Sequence, residues 1–173
     1  MTLFLERGYP EVTVAEIADR AGLTKRTFFN HFPDKREVLF AGAPTLEASA
    51  VEHLAQAPAD LDPLDAAVLA LAHAGQDLAV HGDGVRLRRD LVASSPELRE
   101  RELIKTAALA TALAGGLERR DVPARVAALT AQAAVAVFMT AFDDWVEQGL
   151  GDLGPVMQRA LGDLRQAVAG GRG

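Results

Sequence analysis

The sequence predicts an all-α chain, on three observations. Aromatic residues make up only 5% of its 173 residues and alanine is abundant, a mixture that favours helix packed on helix. No segment alternates apolar and polar residues at the period of a strand. Gly, Pro and Asp divide the chain into stretches that each carry a helical period. Hydrophobic residues are 49% and charged residues 24%, the balance of a soluble globule long enough to bury a core without disulfides or metals.

The elements follow in order. Residues 2–7 form a first helix of under two turns, stopped by Gly8; so short a pattern suggests that upstream residues are missing or disordered. Tyr9-Pro10-Glu11-Val12 connects. Thr13-Val14-Ala15-Glu16 reads as a capping box and opens a second helix to about residue 21. Gly22 ends it, Leu23 follows as an apolar plug, and Thr24 caps a third helix over residues 25–32, which Pro33 stops. Asp34 caps a fourth helix, expected to reach residue 56 with a kink at Gly42 and Pro44. Asp62-Pro63 opens a fifth helix, to about Val80. A turn is expected at His81-Gly82-Asp83-Gly84, then helices at 85–93, 96–119, 121–147 and 153–168. Gly170-Gly171-Arg172-Gly173 reads as a frayed tail.

Composition excludes several classes. There is no cysteine, so disulfides, zinc thiolates, iron–sulfur clusters and thiol catalysis drop out. No run of about 18 residues is both apolar and free of charge, which argues against a membrane span. Leu3-Phe4-Leu5 meets Glu6 and Arg7 at once, so the start does not read as a signal peptide, and a cytoplasmic location is expected. HExxH, a Gly-rich phosphate loop and GxSxG are all missing, which argues against an enzyme. Asp143 and Asp144 are adjacent on a helix and point about 100° apart, a poor carboxylate pair. No cofactor and no metal site is expected.

Net charge is −6, which taken alone argues against a nucleic-acid binder. Its distribution qualifies that. Residues 1–40 hold six bases and six acids, whereas residues 41–173 hold twelve bases and eighteen acids. The acidity lies wholly in the second part.

Residues 13–35 carry the most information. Two short helices joined by a glycine turn have the length and spacing of a helix-turn-helix. In that motif the first helix braces the second, whose polar side enters the major groove. Leu23, Phe28 and Phe32 face the other helices. Lys25, Arg26, Thr27, Asn30 and His31 remain to hold phosphates or read base edges. Phe29 is equally suited to core or contact.

Phe4, Gly8-Tyr9, Thr13-Val14, Ile17-Ala18, Ala21-Gly22-Leu23-Thr24, Thr27-Phe28-Phe29, His31-Phe32 and Lys35 stand in a pattern that resembles the DNA-binding domain of TetR-type transcriptional regulators. The pattern covers about a fifth of the chain. The resemblance implies a helix-turn-helix domain at residues 1–40 and a helical effector-binding and dimerisation domain at residues 41–173. It implies a homodimer that represses a palindromic operator in double-stranded DNA and is released by a small molecule. By position it puts Thr24, Lys25, Arg26, Thr27, Asn30 and His31 on the recognition helix, makes Lys35 a phosphate contact, and gives Thr13 both a cap and a phosphate. Two positions depart: Phe29 stands where tyrosine is frequent, removing a phosphate-bonding hydroxyl, and Arg26 where glycine is frequent. The basic arm that commonly precedes the first helix is absent.

The remainder is marked more weakly. Residues 127–142 are apolar save for Thr130, Gln132 and Thr140, so the eighth helix is buried on several sides. Val135, Phe142 and Trp145 on it, with Val156, Ala160 and Leu164 on the ninth, form stripes suited to a four-helix dimer interface. Phe138 and Phe142 fit either that interface or an effector pocket. Leu69, His73, Gln76 and Val80 form a mixed stripe on the fifth helix; Leu69, His73, Thr106, Leu109, Thr130 and Phe138 are the pocket candidates. For His73 a satisfied core or surface residue is the competing reading, and for Thr106 and Thr130 a bond to their own helix backbone. Val85-Arg86-Leu87-Arg88-Arg89 is either a solvated face paired with Asp90, Glu97 or Glu100, or an anion clamp. Residues 86–101 are similar to actinobacterial members of the family associated with acyl-CoA or redox-cofactor metabolism. The implied effector is thus small and apolar or amphipathic, an acyl-CoA among the candidates.

Overall fold

A computed structural model describes residues 2–78 and 82–170. Its elements among those residues are α1 (Thr2–Arg7), α2 (Val14–Arg20), α3 (Lys25–His31), a 3-10 turn (Arg36–Val38), α4 (Ala43–Gln56), α5 (Pro63–Gln76), α6 (Gly82–Ser94), α7 (Pro96–Glu118), α8 (Ala124–Glu147) and α9 (Leu153–Ala169). No strand occurs among the described residues, and the chain is all-α.

Three boundaries differ from the sequence expectation. The fourth helix is not continuous from residue 35. Asp34 Oδ1 accepts the N–H groups of Arg36 and Glu37 at 2.8 and 3.3 Å, which closes a single 3-10 turn, and α4 starts afresh at Ala43 beside Pro44. Gly82-Asp83-Gly84 lies in the first turn of α6 rather than in a loop. α8 begins at Ala124 because Asp121 takes a positive φ of 64° and breaks the helical path. The expectations for Val80, His81 and residues 171–173 lie outside the described residues.

The chain divides into two compact units. The first contains residues 1–43 and 83–105, the second residues 44–82 and 106–173. The unit that holds the helix-turn-helix is therefore larger than the segment 1–40 marked in the sequence.

In the first unit, Phe4, Tyr9, Val12, Leu39 and Phe40 share one core with Leu87, Leu91 and Val92 of α6 and Leu98 of α7. Charges fasten these segments at the rim. Arg88 donates Nε to the Leu39 carbonyl at 3.0 Å, pairs with Glu102 at 3.2 Å and lies 4.8 Å from the centre of the Phe40 ring. Glu37 accepts from Arg101 and, at 3.0 Å, from Lys105. Burial pushes the Glu37 carboxyl up, but those two cations outweigh it and hold the carboxyl below its ordinary range. Burial, reinforced by the Glu97 charge, pushes the Tyr9 hydroxyl well above its ordinary value.

In the second unit, α5 packs on α8 and α9. α5 buries Ala66, Ala67, Val68, Ala70, Leu71, Ala72, Ala74 and Gly75, a helix covered nearly all round. Small residues allow the close approach: a Cβ on Gly75 would stand 2.6 Å from Leu153 Cδ2 and 2.7 Å from Phe138 Cε2. The Trp145 indole N–H donates to the Gly151 carbonyl at 2.7 Å. Gln76 accepts the Leu153 N–H at 2.8 Å, and so serves as a strut to α9. Arg120 donates to the carbonyls of Leu54, Ala57 and Pro58 at 3.1, 2.8 and 2.7 Å. By length and composition α8 is apolar enough to cross a membrane, with a mean hydropathy of 1.6 over its most apolar stretch. One side of α8 packs on α5 and α9, while Val126, Leu129 and Ala136 on it are exposed.

Gly75→Ala is expected to destabilise the protein. Overpacking costs about 1–3 kcal/mol, while the better helix propensity of alanine returns at most about 1 kcal/mol. Urea unfolding should show a lower midpoint at unchanged slope; an unchanged midpoint would mean that Phe138 and Leu153 yield freely.

Candidate nucleic-acid interface

α2 and α3 are seven residues each, too short to persist on their own. Local chemistry defines their ends. At the start of α2, Thr13 Oγ1 accepts the Glu16 N–H at 3.3 Å, while Glu16 Oε2 accepts the Thr13 N–H at 2.9 Å and its hydroxyl at 2.8 Å. This is the expected capping box, and Arg7 also pairs with Glu16. The hydrogen bonds from Thr13, first the backbone and then the hydroxyl, with that of Arg7, lower the Glu16 pKa from 4.5 to about 2.

At the end of α2, Gly22 takes φ +67°, the left-handed region open to glycine. The Leu23 N–H returns to the Ala18 carbonyl at 2.8 Å and the Gly22 N–H to Asp19 at 3.0 Å, which satisfies the last carbonyls of the helix. Thr24 then caps α3. Its hydroxyl accepts the Thr27 N–H at 3.1 Å and lies 2.9 Å from the Thr27 hydroxyl.

Phe28 anchors α3. It is 2% exposed and packs against Phe32 with ring centres 5.3 Å apart. Phe29 is 53% exposed and meets the Phe28 ring edge-on at 5.5 Å, so the residue that the sequence left between core and contact is half out of the core. Lys25, Arg26, Asn30 and His31 are exposed, with no hydrogen bond or ion pair to another described residue. Thr24 is exposed and Thr27 half-buried.

Lys35, which the resemblance makes a phosphate contact, is engaged within the chain. Its ammonium donates to the carbonyls of Tyr9, Pro10 and Val12 at 2.9, 3.2 and 3.0 Å, and it lies 4.3 Å from the centre of the Tyr9 ring. An ammonium has three protons, and all three are donated within the chain. Here Lys35 locks the α1–α2 connector. Arg20 is the cation that the sequence reading passed over: it is exposed at the end of α2, and only its position on the bracing helix could have drawn notice.

Of the residues expected at a dimer interface, Val135, Phe142, Trp145 and Val156 are buried within the chain's own second unit, Trp145 to 1% exposure. The helical period that selected them is the period of the internal core. Ala160 and Leu164 are half-buried. The outward face of α8 is instead Leu129, Gln132, Ala136 and Thr140.

Among the pocket candidates, Leu109 and Phe138 are buried, Leu69, Thr106 and Thr130 are half-buried, and His73 is exposed. Phe138 packs against Gly75 and, at 5.8 Å between ring centres, Phe142. The His73 ring stands 5.1 Å from that of His53 on α4. In the basic run on α6, Val85 and Leu87 are buried, Arg88 holds Leu39 and Glu102, and Arg89 pairs with Asp90 at 3.1 Å.

Residues 1–41 match the model of bacterial regulatory proteins of the tetR family, and residues 61–169 match that of the MftR C-terminal domain. The chain is also similar to the HTH-type transcriptional regulator TcmR of Streptomyces glaucescens, with 36% identity over 66 residues. That alignment spans 38% of this chain and 29% of the relative.

The Glu16 carboxyl is expected to titrate near 2 when followed by NMR, and Thr13→Val to return it towards 4.5. A carboxyl whose folded pKa is depressed stabilises the fold above its unfolded value. That contribution is lost as the pH falls from about 4.5 through about 2. A titration midpoint near 4.5 in the parent protein would mean that the capping box does not persist in solution.

Proposed function

The chain belongs to the tetR family of bacterial regulatory proteins, and from that premise we propose that it is a cytoplasmic DNA-binding transcriptional repressor. It binds a palindromic operator as a homodimer and leaves it when a small molecule binds. The DNA-reading segment is residues 1–40, and residues 41–173 bind the effector and the second copy.

One observation carries this reading. On a recognition helix whose apolar side is anchored by Phe28, the polar and cationic groups Lys25, Arg26, Asn30 and His31 are exposed and uncommitted. Lys25 and Arg26 hold phosphates or guanine edges; Asn30 suits adenine. His31, Thr27 and Phe29 border them, and Thr13 and Thr24, already capping, add hydroxyl oxygens at the helix starts. Arg20 extends the cationic edge. Lys35 acts indirectly, through the connector.

A single half-site offers few contacts. Two recognition helices spaced by a multiple of about 34–36 Å read both halves of a palindrome. The second copy docks on the outward faces of α8 and α9, where Leu129, Ala136 and Val168 are exposed. The effector must bind the two conformations with different free energy, and a coupling of about 1–3 kcal/mol gives roughly 5–150-fold release. The effector of this reading is a small apolar or amphipathic molecule. The basic run on α6, with Arg88 and Arg89 engaged within the chain, lends no support to an acyl-CoA clamp.

Gel shifts against the DNA upstream of its own gene, repeated across salt concentrations, test the proposal. Lys25→Ala and Arg26→Ala are each expected to flatten the slope of log affinity against log salt by about 1. Lys35→Met should leave that slope unchanged while lowering thermal stability, since it removes three bonds from a charged donor. A parent slope retained in both α3 variants would sink the assignment of α3 to the duplex.

A further inference from the structure

We propose that His53 and His73 form a two-histidine site for a divalent transition-metal ion of the zinc class, bridging α4 and α5. The histidines are twenty residues apart in sequence, and their ring centres are 5.1 Å apart with the planes inclined at 66°. With metal–nitrogen bonds of about 2.0–2.1 Å and a tetrahedral angle at the ion, two bound imidazoles have ring centres about 5 Å apart. The helices therefore already hold the rings at the separation an ion requires. Rotation about the soft terminal torsion of each side chain turns a nitrogen into the gap without moving the backbone.

The ring nitrogens are available. Neither imidazole makes a hydrogen bond to another described residue, His73 is exposed, and His53 is half-buried. One turn along both helices, the Ser49 hydroxyl meets the Asp77 carboxylate at 3.5 Å. That contact joins the same pair of helices and sets a negative charge one helical turn beyond His73. Among the described residues no third His, Cys, Asp or Glu completes a cluster, so water occupies the remaining coordination positions. Affinity is then moderate, and selection follows the preference of imidazole for copper, nickel and zinc over magnesium or calcium. An ion held only by the folded chain stabilises it by mass action and ties α4 to α5.

The test is thermal unfolding of the full chain, stripped with EDTA and titrated with zinc chloride. At a large excess over the dissociation constant the midpoint should rise by about 5 °C or more and saturate, and EDTA should reverse the rise. His53→Ala and His73→Ala should each abolish it, while His31→Ala, on the exposed side of α3, should keep it. Because His73 is exposed, its variant folds and decides the matter even if His53→Ala lowers basal stability. A visible absorption band from tetrahedral cobalt, lost in His73→Ala, is the second expected signature. Absence of a saturable rise, or a rise that survives His73→Ala or disappears in His31→Ala, overturns the site.

Discussion

A seven-residue helix has too few hydrogen bonds to offset the cost of its own nucleation. α3 exists because its surroundings impose it: Thr24 caps its first turn, the left-handed Gly22 directs the chain into it, and Phe28 anchors it in the core. Everything that α3 presents outward depends on that constraint. The same holds one layer back. The connector that carries α2 is held by Lys35 on three carbonyls, and the core beneath it is completed by α6 and the start of α7. The helix-turn-helix is therefore built as part of a larger unit, with Arg88, Arg101 and Lys105 fastening residues far apart in sequence.

The charge of that unit is divided between two tasks. Of the six cations in residues 1–40, Arg7, Lys35 and Arg36 are committed inside the chain, to Glu16, to the connector and to Asp34. Arg20, Lys25 and Arg26 are exposed, with no ion pair to another described residue. In an acidic protein, three uncommitted cations on adjoining short helices are a more specific signal than net charge, because phosphate contact depends on local, unneutralised charge.

The second unit relies on small side chains. Alanine and glycine on α5 let α8 and α9 approach closely, as the distances around Gly75 record. Helix separation falls when small residues meet, and large residues such as Phe138, Trp145 and Met157 then fill the space between. This explains how a sequence with few aromatics still buries a core between α5, α8 and α9.

The sequence alone determined what depends on neighbours along the chain. The all-α class, the capping box at Thr13, the glycine turn at Gly22, the cap at Thr24 and the anchoring role of Phe28 follow from backbone stereochemistry and helical period, which act over a few residues. Tertiary structure decided what depends on residues far apart. It spent Lys35 on carbonyls instead of leaving it free, turned Val135, Phe142, Trp145 and Val156 inward, added α6 to the first unit, and set His53 beside His73. Periodicity shows that a face is apolar but not what covers it, and a charge or an imidazole in a sequence carries no record of the distant group that will meet it.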